Sequence, residues 1–314
     1  MSTTEGNQEE SVTLLPNPPQ LFVGSDRTYA ILWYSILCIA SLILHLIFII
    51  GIRKLCGWKS NFCFTLLLIV STMCMVRFTT ELIASLTALF YMDWNKYQIL
   101  WIGLGSFAFA PYFAVVFLNI AITFHRLVYT AFPFTANEYL SKAVMQVILL
   151  GIFLYFLAFI VVLNTDLLGV RWVDSFMTWA HMKSRNPAVF RLLNTLSNYG
   201  VGVINIVTYS VLFALLYKRK LISFTDNHEI KMTLQVLCMV FCEILFFLYW
   251  QFWNMEGYGA WDLVIAETSN LFYFDVIVIP YLILNGNIHA QLRRIGRLKI
   301  TRVSHSNSRV NVHV

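Results

Sequence analysis

Arg77 and Glu81 stand four residues apart in an otherwise apolar run, a spacing that puts both side chains on one face of a helix and lets the guanidinium neutralise the carboxylate. Ionisable groups in such runs are costly to bury and face a partner or a cavity, so each of the others is a candidate for function. Glu243 and Asp275 are single acids at depth in their runs, suited to an interhelical hydrogen bond or to a protonated carboxyl. Glu267 and Asn270 lie toward the start of the last apolar run. Asn194, Asn198 and Asn205 recur at i, i+4 and i+11 on one helical face. That face is either packing between helices or the lining of a pocket. Phe246 and Trp250 share a face, and Trp250 is the aromatic best suited to a cavity. Catalysis is not indicated. His45, His125, His181, His228 and His289 form no pair at metal spacing, Cys238 and Cys242 lack an accompanying histidine and are suited to packing, and no nucleophile has a base beside it.

The elements that must carry these groups are set by composition. Of 314 residues, 59% are hydrophobic and 12% charged, against roughly 25% charged in an ordinary soluble domain. So much apolar surface requires lipid as its solvent, which makes the chain an integral membrane protein. Seven apolar runs are each long enough to span about 30 Å of hydrocarbon. They cover about Tyr29–Ile52, Asn61–Tyr91, 99–124, Ala143–Asn164, Leu192–Tyr217, Lys231–Trp253 and Asp262–Leu284. The expected fold is an all-α seven-transmembrane helix bundle over 29–285. Residues 1–28, with Glu5, Glu9, Glu10, Pro16, Pro18 and Pro19, read as a disordered tail. In 286–314, Ile288, Leu292, Ile295 and Leu298 alternate with Arg293, Arg294, Arg297 and Lys299. That pattern suits an amphipathic helix lying on an anionic leaflet, or a positively charged stop after the last span.

The net charge of +6 is distributed unevenly. Loops after the first, third and fifth spans, with the C-terminal segment, hold most of the Lys and Arg outside the runs. The other side holds Arg27, Lys96, Arg171, Lys183, Arg185 and Arg191. Positive residues favour the cytoplasm, so the N-terminus is expected outside, and the basic excess reflects topology and bilayer contact rather than nucleic acid. Of the six cysteines, five fall inside spans and Cys56 in a short loop, so none is placed for an extracellular disulfide.

The third run ends on Asn119-Ile-Ala-Ile-Thr-Phe-His125-Arg126, followed by Phe132-Pro133. An arginine at the foot of a span with a proline seven residues on resembles the end of the third helix in G-protein-coupled receptors. Within these, seven spans and an outside N-terminus resemble the nematode serpentine chemoreceptors of the Srg-type superfamily. The resemblance implies that Arg126 is tied to neighbouring helices at rest and meets the G protein when active, with His125 in place of the usual acid and Glu229 as a source of a resting partner. It also implies an activation switch at Phe246 and Trp250, where Phe252 replaces the usual proline. The last span closes on Asp275, Pro280, Tyr281 and Asn285, a degenerate form of the family's Asn-Pro-X-X-Tyr ending. Trp101 stands where many receptors carry a disulfide cysteine.

The resulting expectation is a receptor with no cofactor, metal or enzymatic chemistry, binding a small organic ligand in a cavity lined by Asn194, Asn198, Trp250, Glu267 and Asn270. It would signal to a heterotrimeric G protein from the plasma membrane, and the resemblance extends this to sensory-neuron cilia. The alternative is a seven-span ligand-gated cation channel of the insect odorant-receptor type, with the N-terminus inside. A transporter would more often show internal repeats.

Overall fold

A computed structural model describes residues 22–92, 96–132, 134–165, 168–181, 187–218 and 261–294, with residues 238, 241–242, 244–246, 248–250 and 252 between the last two stretches. The labelled helices are α1 Gly24–Ile52, α2 Phe62–Ala88, α3 Gln98–Ala131, α4 Lys142–Asn164, α5 Pro187–Lys218 and α6 Trp261–Leu284. The chain is predominantly helical, and these six elements include six helices long and apolar enough to cross a membrane. Residues 231–253, read from sequence as a span, lie largely outside the described residues, but those described between 238 and 252 are helical. Residues 286–294 are helical as well.

Helix α3 is the axis of the bundle. It packs against α2, α4 and α5, while α2 also packs on α1, and α6 lies on both α1 and α2. Gly105, Ser106, Ala108, Ala110 and Ala114 are all buried on α3, and such small side chains let neighbouring helices approach closely where lipid offers no hydrophobic drive to associate. The core around it is aromatic and aliphatic, with Phe48, Phe62, Phe78, Trp101, Phe113 and Tyr281 all but fully buried. Ser141 caps α4 by accepting from the Val144 N–H at 3.4 Å, as short hydroxyl side chains do at helix starts.

Several boundaries differ from the sequence reading. Helix α1 begins at Gly24 rather than near Tyr29, so the segment read as tail to residue 28 is ordered from Phe22 onward. Gly24 enters the helix with φ +58°, a conformation open to glycine without steric cost. Phe22 and Arg27 are buried, which supplies the packing that composition alone did not show. Helix α3 runs to Ala131, past the expected end at 124. His125 and Arg126 therefore sit inside a helix, because Val128 and the His125 ring find partners that continue the packed face.

The segment between the fourth and fifth expected spans contains a hairpin, β1 Val170–Val173 and β2 Thr178–His181, antiparallel with Trp172 opposite Trp179. The β-branched and aromatic residues Val170, Trp172, Val173, Thr178 and Trp179 suit a pleated, half-buried surface, and Met177 turns the chain with φ +50°. Helix α5 begins at Pro187, five residues before the expected start, where a proline at the first helical position forgoes only an N–H that would be unpaired anyway.

Candidate functional site

Polar side chains gather at both ends of the bundle, and the hairpin marks one of them. Strand β1 lies on α3 so closely that the Val170 carbonyl occupies the space a side chain at Gly105 would need. Trp172 and Trp179 meet edge to face, with ring centroids 5.4 Å apart, and both are buried. Arg27 of α1 holds the turn down. Its guanidinium donates to Asp174 Oδ1 at 2.7 Å and to the Ala88 carbonyl at the end of α2, and lies 4.1 Å from the Tyr91 ring centroid. Phe22 meets Trp261 at 5.5 Å, and its N–H donates to the Ser175 carbonyl at 3.4 Å.

Beneath the hairpin lies a buried ionic cluster. Arg77 Nη1 donates to Glu81 Oε2 at 2.7 Å, and Arg77 Nη2 donates to Glu267 Oε1. Trp179 Nε1 donates to Glu81 Oε2 at 2.7 Å. The i,i+4 spacing of Arg77 and Glu81 was legible in sequence. Glu267, 190 residues away, and the indole from β2 were not, because only packing of α2, α6 and the hairpin brings them together. Arg77, Glu81 and Glu267 are 4%, 0% and 6% exposed, so these interactions are shielded from water. Asn270 follows Glu267 by about one turn, on an exposed part of α6.

A second cluster joins the same helices deeper in the bundle. Ser41 Oγ donates to Asp275 Oδ2 at 2.7 Å, His45 Nε2 lies 3.3 Å from Asp275 Oδ1, and His45 Nδ1 lies 2.8 Å from Ser71 Oγ. Asp275 was expected in an interhelical hydrogen bond or as a protonated carboxyl, whereas His45 and its serine partners carried no signal at sequence level. Ser41, His45 and Ser71 come from α1 and α2, far from Asp275 along the chain. Phe246 and Trp250 point toward α6. Trp250 lies 5.2 Å from Tyr273 and donates from Nε1 to Ser269 Oγ at 3.0 Å, while Phe246 lies 6.0 Å from Tyr273 and Tyr273 6.3 Å from Tyr112 of α3.

At the opposite end, Arg126 sits in the interior of α3 with its guanidinium 5.0 Å from the Tyr281 ring centroid. His125 Nε2 lies 2.9 Å from the Lys59 carbonyl, and its ring packs on Phe62 and Tyr129 at 5.7 and 4.6 Å, tying α3 to the turn before α2. Thr123 Oγ1 donates to Tyr209 Oη of α5 at 3.1 Å. Pro133 and Glu229 lie outside the described residues, as do the side chains of Asn194, Asn198 and Asn205 on α5.

None of the six cysteines forms a disulfide. Cys56, between α1 and α2, donates to the Ile52 and Phe64 carbonyls at 3.4 and 3.5 Å. Burial pushes its thiol up from its ordinary value, which keeps it protonated and poorly nucleophilic. Among the described residues no group of three or more His, Cys, Asp and Glu side chains is arranged to hold a metal ion. No protein-family model matches the sequence, and no curated protein matches it.

Proposed function

We propose that the chain is a G-protein-coupled chemosensory receptor of the nematode serpentine type, a seven-span plasma-membrane protein with its N-terminus outside and residues 231–253 as the sixth span. A small organic ligand binds between the helices at the hairpin end and favours one of two helix packings. The change reaches the other end through α6, which carries Glu267, Tyr273, Asp275 and Tyr281 along one helix. There Arg126 leaves its resting contacts, and the inner ends of the helices take up a heterotrimeric G protein.

The observation that carries this reading is the seat of Arg126, held in the bundle 5.0 Å from the ring of Tyr281. Arg126 is half-buried, and among the described residues its guanidinium faces an aromatic ring rather than a carboxylate, a contact worth about 0.5–2 kcal/mol. It can be released without first breaking an ion pair to any described residue.

Epitope tags before Ser2 and after Val314, probed in intact and permeabilised cells, test the orientation. An outside N-terminus with an inside C-terminus supports the receptor. The reverse orientation with ligand-evoked currents would instead favour a channel. In cells responding through a G protein, Arg126→Ala is expected to abolish coupling while surface expression persists, and unchanged coupling removes Arg126 from the mechanism.

A further inference from the structure

The three buried charges beneath the hairpin do not cancel. One guanidinium, Arg77, stands against two carboxylates, Glu81 and Glu267, so the fully ionised cluster carries one excess negative charge. The hydrogen bonds are unevenly shared as well. Glu81 Oε2 accepts from both Arg77 and Trp179, while Glu81 Oε1 is buried with no hydrogen-bond partner among the described residues. The Tyr34 hydroxyl of α1 is buried without a partner too, on a side chain that is 0% exposed. It lies within electrostatic reach of Glu267, Glu81 and Arg77. An orphaned acceptor, an orphaned hydroxyl and an uncompensated charge are each unfavourable in a water-poor interior.

We propose that this cluster is the polar anchor of the ligand site and that it binds the ammonium group of a protonated amine. The proposal deepens the receptor reading and rests on it for the consequence of binding. An ammonium relieves all three deficits at once. Its charge brings the cluster to neutrality, one N–H donates to Glu81 Oε1, and another donates to Tyr34 Oη. A carboxylate ligand would add negative charge and bring no donor to Glu81. An alcohol or a water molecule would satisfy the hydrogen bonds and leave the charge. The excess charge therefore selects the sign of the ligand, and the two orphaned oxygens select a group with several N–H donors. Trp179 lies over Glu81 from the hairpin, so an amine arriving from that end displaces the segment that Arg27 and Asp174 hold down.

The test uses the full chain, purified and reconstituted in phosphatidylcholine nanodiscs, with thermal unfolding followed during titration with n-hexylamine, n-hexanol or sodium hexanoate. The amine is expected to raise Tm saturably, with no comparable shift from the alcohol or the carboxylate. Glu81→Gln, which removes the excess charge, abolishes the amine shift. Tyr34→Phe keeps the packing and weakens the amine about tenfold, as losing one charge-assisted hydrogen bond would. Three results overturn the proposal: no saturable amine shift, equal shifts from amine and alcohol, or an amine shift unchanged in both variants. Binding is read without a G protein. Amine binding in a protein that never couples refutes the receptor and leaves the anchor standing, while coupling without any amine response does the reverse.

Discussion

Arg77 and Tyr281 define the residue scale, one as a charge that must be matched and the other as a ring that holds a charge loosely. Arg77→Ala strands two carboxylates in the core, and uncompensated buried charges are destabilising by about 3–5 kcal/mol. Thermal unfolding in nanodiscs should show a large fall in Tm. Glu267→Gln leaves Arg77 paired one to one with Glu81 and should lower Tm far less; equal losses would mean that the charge imbalance is irrelevant. At the other end, Tyr281→Ala removes the ring facing Arg126. With a cation–π contact of about 1 kcal/mol lost, basal G-protein activation should rise roughly fivefold, measured by nucleotide exchange without added ligand. A fall or no change would place Tyr281 outside the resting restraint. Arg77–Glu81 was legible because i,i+4 spacing is local. The Arg126–Tyr281 contact joins residues 155 positions apart, so no local pattern encodes it.

The hairpin is the element with the most consequences, because it is fastened at three places. Gly105 admits the Val170 carbonyl, Arg27 holds Asp174, and Trp179 reaches Glu81. Gly105→Val puts a branched side chain into space already filled by backbone, so β1 must lift from α3. Arg27→Ala removes a charge-assisted pair worth about 1.5–3 kcal/mol. Both variants should expose the hairpin, and limited proteolysis should cut within residues 168–181 at least tenfold faster than in the unmodified protein. Unchanged cleavage would show that the hairpin is held by its tryptophans alone. Sequence composition left Trp172 and Trp179 between the fourth and fifth expected spans and stopped there. Four-residue strands carry too short an alternation to be read, and their pairing depends on surfaces offered by α2 and α3.

At the scale of the whole molecule, α6 takes part in the Arg77, His45 and Arg126 sites alike. Glu267 enters the Arg77 cluster, Asp275 the His45 cluster, and Tyr281 the Arg126 contact. A helix so engaged over its length is suited to move as a rigid body between packings. Cutting its deepest tie should therefore be felt at both ends. Ser41→Ala, which deletes the 2.7 Å hydrogen bond to Asp275, is expected to destabilise by about 1 kcal/mol. It should also raise hydrogen exchange at the start of α6 near Glu267 and at its end near Tyr281. Exchange that rises only beside Asp275 would argue against transmission along the helix.

Lipid as the solvent, helices as the spanning element and the approximate place of the apolar runs were determined by sequence alone, because hydrocarbon leaves no other way to satisfy the backbone of a long apolar segment. The termini of those helices were less legible. The early start of α1 and the extension of α3 depend on partners for Phe22, Arg27, His125 and Arg126 that lie on other elements. Local spacing likewise showed which ionisable residues share a helix face, and gave no sign of which faces meet. Tertiary structure decided that Glu267 joins Arg77 and Glu81, that Asp275 takes His45 and Ser41, and that Arg126 lies inside the bundle facing Tyr281. The physical reason is that a buried charge is tolerated only beside its complement, and beyond an i,i+4 pair that complement comes from another element.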